Sequence, residues 1–284
     1  MRIALTGALG IVGSRAAQAL TYAGHEVLAI DNRERPDDLE TEFRRADLTS
    51  YEQTCDVLGG AECVVHLAGI NAPIVAPEWR VHNNNVVASY NVLSAAAELG
   101  VSRVVQSSSV NAIGLAWSRK PRFDYFPVDL QHQTRNEDGY SLSKLIQELQ
   151  ADSITRRHDS LSVVSLRLHA VLEDAAQAQL GIDALGDDWA INGLFGYCTF
   201  ESVVSAIELS CSAPVTGHEV LWVTEPETFV TSSSAELAER YFPEVRRKVP
   251  LVGRQSFFDI SRTESVLGWT PSTVADPPRE RVKI

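Results

Sequence analysis

The stretch Arg2-Ile3-Ala4-Leu5-Thr6-Gly7-Ala8-Leu9-Gly10-Ile11-Val12-Gly13 decides the fold. A short apolar strand runs straight into a Gly-x-x-Gly-x-x-Gly cluster. Behind it Val12, Ala16, Ala19, Leu20 and Ala23 recur at helical spacing, and Gly24 supplies a left-handed stop. A strand that turns this tightly into a helix aims the helix's free N–H groups and positive dipole end at one point. Gly7 and Gly10 let a pyrophosphate approach the backbone beside Ile11, and Gly13 lets helix and strand pack closely.

Working outward, His25 to Ile30 reads as a second strand ending at Asp31, which lies 24 residues past Gly7. A carboxylate there accepts the hydroxyls of an adenosine ribose, so NAD is expected rather than NADP, whose 2′-phosphate would meet like charge. Arg33 and Arg35 are the nearby cations that a 2′-phosphate would use. Phe43 to Ala46 reads as a short strand, and Ser50 with Gln53 has capping-box spacing for a helix to Leu58. A buried strand is expected over Glu62 to Leu67, a long helix over Glu78 to Leu99, and a further strand over Arg103 to Gln106. Strands alternating with helices predict an α/β, Rossmann-type doubly wound parallel sheet covered on both faces.

The chain has 284 residues, 44% of them hydrophobic and 22% charged, which suits one large globular domain with a smaller lobe. A formal charge of −12 repels phosphate backbones and anionic lipid, so no nucleic-acid or membrane partner is expected. No run reaches the length of a membrane span, and the opening residues do not read as a leader. Cys55, Cys63, Cys198 and Cys211 lack metal spacing, which predicts reduced thiols, a cytoplasmic setting and no metal site.

Tyr140-Ser141-Leu142-Ser143-Lys144 opens a predicted helix reaching about Arg157, with Gly139 just ahead. Tyr140 and Lys144 are one turn apart on one face, so an ammonium lies beside a phenol and stabilises its phenolate. Ser107-Ser108-Ser109 directly follows a strand, which puts hydroxyls at the carboxyl end of the sheet, where doubly wound folds bind ligands.

The ordered set resembles the extended short-chain dehydrogenase/reductase family, the NAD-dependent epimerase/dehydratase group. It comprises Gly7-x-x-Gly10-x-x-Gly13, Asp31, Asp47-Leu48, His66-Leu67-Ala68-Gly69, Asn85 with Asn91-Val92-Leu93, Ser107 to Ser109 with Gly114, and Tyr140-x-x-x-Lys144. Phe258 to Ser261 and Leu267 to Pro271 look like the family's closing segment. The resemblance implies that Ser109 hydrogen-bonds the reacting oxygen, with Ser108 as the fallback. It implies that Tyr140 exchanges its proton during hydride transfer, and that Lys144 holds the nicotinamide ribose and lowers the Tyr140 pKa. Asp47 and Leu48 would flank the adenine, while Leu67, Ala68, Gly69 and Asn85 would line the cofactor cleft. It also implies a homodimer built through the helices near 80–99 and 139–157.

Departures from the family narrow the reaction. Val110-Asn111 after Ser109 lacks the acidic pair that serves dehydratases, and Arg167-Leu168-His169-Ala170 lacks the epimerases' asparagine and Gly-Pro turn. The shortened second half is similar to compact members of the uronate dehydrogenase type. However, the position of their carboxylate-gripping arginine falls near Asn192, and no Arg or Lys occurs between Arg167 and Arg240. The expected activity is therefore an NAD-dependent oxidoreductase acting on a small neutral hydroxylated or sugar-like molecule. The alternatives are a sugar or nucleotide-sugar epimerase with retained cofactor, and a non-catalytic redox sensor. Asn111, His169, Asn192, Trp189 and Tyr197 are candidate pocket residues, and the 110–138 segment with Trp117, Arg119, Lys120, Arg122 and Tyr125 is long enough for a lid. His66 reads as a satisfied core histidine. The expected division is a dinucleotide-binding domain over 1–167, rejoined by 200–224, and a small interleaved substrate lobe from 168–199 and 225–284.

Overall fold

The computed structural model describes residues 1–271; the part of the expected lobe at 272–284 lies outside the described residues. The chain runs β1 (Arg2–Thr6), α1 (Ile11–Tyr22), β2 (Glu26–Asp31), β3 (Glu42–Arg45), α2 (Tyr51–Leu58), β4 (Cys63–His66), α3 (Glu78–Glu98) and β5 (Arg103–Ser109). It continues through β6 (Tyr125–Phe126), α4 (Gly139–Thr155), β7 (Ser162–Leu168), β8 (Val171–Leu172), α5 (Ala178–Leu185), α6 (Asp187–Asn192), β9 (Cys198–Thr199) and α7 (Phe200–Ser212). β10 (His218–Val223), α8 (Ser234–Tyr241), β11 (Arg246–Arg247) and α9 (Ser261–Leu267) follow.

Seven strands form one parallel sheet in the order β10-β7-β5-β4-β1-β2-β3. Side-chain alternation explains why both faces are covered. Ile3, Leu5, Val65, Val105 and Val164 point into a core with Ala16 and Leu20 of α1 and Val203 and Ala206 of α7. Their neighbours Ala4, Val64, Val104 and Val163 point the other way, into a core with Val57 of α2, Val92 and Leu93 of α3, and Ala151 of α4. The strand order reverses between β1 and β4, so a crevice opens where the chain leaves these two strands.

A third apolar cluster draws on Val110, Phe126, Phe195, Trp222, Phe229 and Phe257, residues scattered from the segment after β5 to the one before α9. β10 meanwhile rejoins the main sheet beside β7.

Several local expectations are corrected. The strand expected to stop at Gln106 runs on to Ser109, because Ser107, Ser108 and Ser109 pair in register with Leu166, Arg167 and Leu168 of β7. Gly139 lies inside α4, whose cap is Asp138, with its carboxylate accepting the Ser141 N–H at 2.8 Å. At α2 only half the capping box forms. Ser50 accepts from the Gln53 N–H, while the Gln53 side chain accepts from the Asp47 N–H instead. The 110–138 segment is not a free lid, since Phe123, Phe126 and Val128 are buried in the third core.

Candidate active site

The crevice begins at the glycine turn. Gly7 has φ +70°, and a Cβ there would stand 2.6 Å from the Ala68 nitrogen, so β1 and the turn after β4 approach as only glycine permits. The Gly10 N–H donates to the Gly7 carbonyl at 2.9 Å, closing the turn. α1 starts at Gly10 with no side-chain cap and no acid in its first turn. Its first N–H groups and dipole therefore face the crevice, a seat for a phosphate group. Gly13 is buried, and its missing side chain lets α1 lie on the Gly7 carbonyl.

A cavity of about 370 Å³ extends from there, lined by Gly7, Gly10, Asp31, Arg33, Asp47, Leu48, Leu67 to Asn71, Arg80 and Asn84. Asp31 ends β2 and is nearly buried. It accepts from the Leu9 N–H at 3.0 Å and from Arg33 at 2.9 and 3.1 Å. Burial pushes its pKa up, but the hydrogen bonds from Arg33 and Leu9 outweigh this and hold the carboxyl below its usual range. The bidentate grip of Arg33 on Asp31 was not read from the sequence, although both residues were. Asp47 accepts from the Thr49 N–H and hydroxyl, fixing the loop that lines this side of the cavity. Asn85 does not line the cavity. It is fully buried, and its amide bonds the Ile70 N–H at 2.8 Å and the Ile70 carbonyl at 3.0 Å. It anchors the Leu67–Ile70 turn that does.

These residues fit a dinucleotide. Uncapped helical N–H groups open onto the cavity, and a nearly buried carboxylate stands beside them at the end of β2.

A second cavity of about 290 Å³ shares Leu67, Gly69, Ile70 and Asn71 with the first, so the two adjoin. Ile11, Ser109, Asn111, Trp117, Tyr140, Lys144, His169 and Trp189 line it. Tyr140 and Lys144 project from one face of α4 toward the end of β5. Lys144 Nζ donates to the Ser107 carbonyl at 2.7 Å and lies 5.9 Å from the centre of the Tyr140 ring. The Tyr140 hydroxyl is hydrogen-bonded to the Ser109 side chain. Ser109 Oγ also accepts from the Asn111 N–H at 3.1 Å and Nδ2 at 3.3 Å. With its lone pairs engaged by Asn111, the Ser109 hydroxyl turns its proton toward the Tyr140 oxygen.

The electrostatics correct one expectation. Burial pushes the Tyr140 phenol up to about 12; the hydrogen bond from Ser109 opposes this, and Asp138 adds to it. Lys144 does not bring the phenol down, because its ammonium is directed at the Ser107 carbonyl and is itself fully buried. Burial drives Lys144 down to about 8, against the raising effect of Glu148.

His169 lines the pocket with both nitrogens engaged. Nδ1 accepts from the Ala170 N–H at 2.7 Å, so Nε2 carries the proton and donates to the Gly193 carbonyl at 2.8 Å. Burial lowers its pKa to about 4, which makes it a neutral wall. Asn192 and Tyr197 do not reach the cavity. The Asn192 amide donates to the Ser118 carbonyl at 3.2 Å, and Tyr197 packs in the third core. Only half of the His66 expectation holds: Nδ1 bonds the Thr6 hydroxyl at 2.8 Å, while Nε2 is buried with no partner among the described residues. Among the described residues no cluster of three or more His, Cys, Asp or Glu side chains stands ready for a metal, and no helix is long and apolar enough to cross a membrane.

The sheet, the glycine turn and the crevice define a doubly wound dinucleotide-binding protein. The chain belongs to the NAD dependent epimerase/dehydratase family, whose pattern matches residues 3–172. Over 111 residues, 38% of the chain, it is 36% identical to an uncharacterized protein of Mycobacterium tuberculosis, and it spans only 12% of that protein's length. Among solved structures it resembles MoeE5 in complex with UDP-glucuronic acid and NAD, with TM-score 0.72 and 26% identity over 96% of this chain and 94% of that one. It shares the fold of a glucuronic acid dehydrogenase from Chromohalobacter salexigens, with TM-score 0.68 and 20% identity over 95% and 84% of the two chains.

Proposed function

We propose that this protein is an NAD-dependent oxidoreductase that moves a hydride between NAD and a small, uncharged, hydroxylated or sugar-like substrate. The observation that carries the reading is the meeting of Ser109, Tyr140 and Lys144 in a cavity that adjoins the dinucleotide crevice. When bound, NAD supplies the hydride acceptor or donor. The α1 N-terminus would hold the pyrophosphate, Asp31 the adenosine ribose, Asp47 and Leu48 the adenine surroundings, and Lys144 the nicotinamide ribose. Ser109 would turn its proton from Tyr140 to the reacting oxygen and so orient it. Tyr140, a buried neutral phenol, holds the proton that the substrate oxygen gains in reduction or surrenders in oxidation. Lys144, one helical turn from that phenol, would fix the nicotinamide ribose and so place the hydride-bearing carbon beside the Tyr140 hydroxyl.

An uncharged substrate is supported by the lining, in which Lys144 is the one charged side chain among the described residues. MoeE5 is named with UDP-glucose as well as UDP-glucuronic acid, and the Chromohalobacter enzyme with glucuronic acid; this pocket offers no second cation to receive a sugar carboxylate. His169 and the two tryptophans instead provide neutral walls for the face of a sugar ring. A homodimer through α3 and α4 is proposed on the exposed Val87, Tyr90, Leu142 and Leu149, and light scattering in solution tests it. A cytoplasmic setting is proposed on four free thiols. The third core supports a substrate lobe built from 168–199 and 225 onward.

The test mixes protein, NAD and a panel of free sugars, sugar acids, polyols and UDP-sugars, with Tyr140→Phe as the blank. Tyr140-dependent NADH formation with neutral members is expected. An interconverted sugar seen by NMR without NADH would assign the epimerase alternative instead, and a response confined to sugar acids or UDP-sugars would overturn the neutral-substrate reading.

A further inference from the structure

Tyr140, Lys144 and Glu148 occupy successive turns of one face of α4, and each meets a different serine of β5. Tyr140 bonds the Ser109 side chain, Lys144 Nζ the Ser107 carbonyl at 2.7 Å, and Glu148 Oε1 the Ser108 hydroxyl at 2.6 Å. Glu148 is gripped from the far side by Arg167 of β7, with Nε donating to Oε1 at 2.8 Å and Nη2 to Oε2 at 2.7 Å. Arg167 is the register partner of Ser108 on one side and of Trp222 on the other, and its guanidinium stacks 4.6 Å from the Trp222 ring. Glu148 and Arg167 are both about 95% buried, and neither lines either cavity.

A buried ion pair gains little stability over apolar residues of the same shape, so its position calls for a reason other than stability. We propose that Glu148 and Arg167 are positioning residues for the proton-transfer site: the pair locks the serine end of β5 to α4 and holds Lys144 as an ammonium beside Tyr140. The proposal rests on the roles given above to Tyr140 and Lys144. The geometry sets the sign. Glu148 is one turn from Lys144, and Arg167 stands beyond Glu148, so the pair turns its negative end toward the amine. Besides Glu148, the groups that face Lys144 are Tyr140 on its own helix, held neutral, and His66 of β4. Burial and the Lys144 charge together drive His66 down to about 3, so it brings no positive charge. Burial disfavours the Lys144 ammonium, and Glu148 is the one influence that opposes it.

Glu148→Gln alone leaves Arg167 buried without its counter-charge and risks the fold. The informative variant is therefore Glu148→Gln with Arg167→Met, which keeps an acceptor for Ser108 and an apolar stack on Trp222. The chain's lysines are Lys120, Lys144, Lys248 and Lys283, so protein labelled with ¹³Cε-lysine gives four side-chain signals, and Lys144→Arg identifies one of them. In the unliganded wild type the Lys144 signal is expected to titrate near 8. In the double variant its midpoint should fall by roughly one unit. In turnover assays the alkaline limb of the kcat profile should move down with it, because the ammonium is the working form. A folded double variant whose Lys144 titrates as in wild type would overturn the proposal and leave the pair a scaffold. Failure of the oxidoreductase reading would instead appear as a wild type without turnover, with the NMR shift intact.

Discussion

Replacing Gly13 with alanine tests the glycine turn at its tightest point. A Cβ there would lie 2.1 Å from the Gly7 carbonyl oxygen and 2.9 Å from its carbon, where real Cβ atoms keep about 3.0 Å. Neither contact is the end of a flexible side chain, so relief requires α1 to move off β1 by about 0.9 Å. That carbonyl also receives the Gly10 N–H, so the turn cannot yield without losing the bond that shapes it. Overpacking of this kind costs roughly 2 kcal/mol. For a chain of this length the Tm should fall by about 4–8 °C. The same displacement lifts the α1 N–H groups from a bound pyrophosphate, and losing two charge-assisted hydrogen bonds at about 1.5 kcal/mol each weakens binding by about 100-fold. Thermal melts and a titration of tryptophan quenching by NADH measure the two effects. Gly24→Ala is the comparison: its φ is +86° with nothing within 4 Å of the new Cβ. It should cost about 1 kcal/mol through backbone strain alone and leave NADH affinity unchanged. A Gly13→Ala protein that melts and binds NADH like wild type would show that the turn does not seat the phosphates.

Asp31→Asn is expected to weaken NADH binding about 10-fold through the lost charge-assisted bonds to ribose. It should also lower the Tm at pH 7. Because the folded Asp31 pKa is depressed, its stabilisation is present above the unfolded value and lost as pH falls through the folded one, so melts of variant and wild type should converge in acid. His169 acts with the same sense by a different route. The unfolded chain takes up a proton near 6.5 while the folded imidazole waits until about 4. Stability should therefore fall between those values by on the order of 3 kcal/mol, and His169→Gln should flatten that slope in urea titrations taken from pH 7 to 4. A slope unchanged by the substitution would place the burden elsewhere. Asn111→Ala keeps the backbone N–H bond to Ser109 but removes the one from Nδ2, which frees one lone pair and loosens the direction of the Ser109 proton; kcat should fall about 10-fold with NADH affinity unchanged.

What the sequence made legible was local. β1, the glycine turn, α1 and Asp31 lie within one strand-helix-strand unit, and Tyr140 and Lys144 are one helical turn apart, so spacing alone carries them. Contacts made by sheet register were hidden. Ser108 and Arg167 are 59 residues apart, yet stand side by side because β5 neighbours β7, and Glu148 joins them only once α4 has packed. The extension of β5 through Ser109 has the same origin, since the strand length depended on a partner that spacing could not name. Asn85 shows how a motif position misleads. Its place in the family pattern was read as cofactor contact, while its buried amide is consumed by Ile70 in holding the turn that lines the cleft. His169 makes the complementary point. Its arrival in the pocket followed from chain order, but its unfitness as an acid or base follows from the Gly193 carbonyl and the Ala170 N–H, and only the packing of β7 against the turn after α6 supplies the first of these. A side chain's place is thus often written locally, whereas its protonation and its free lone pairs are set by neighbours distant in the chain, and at this site those neighbours decide which residues move a proton.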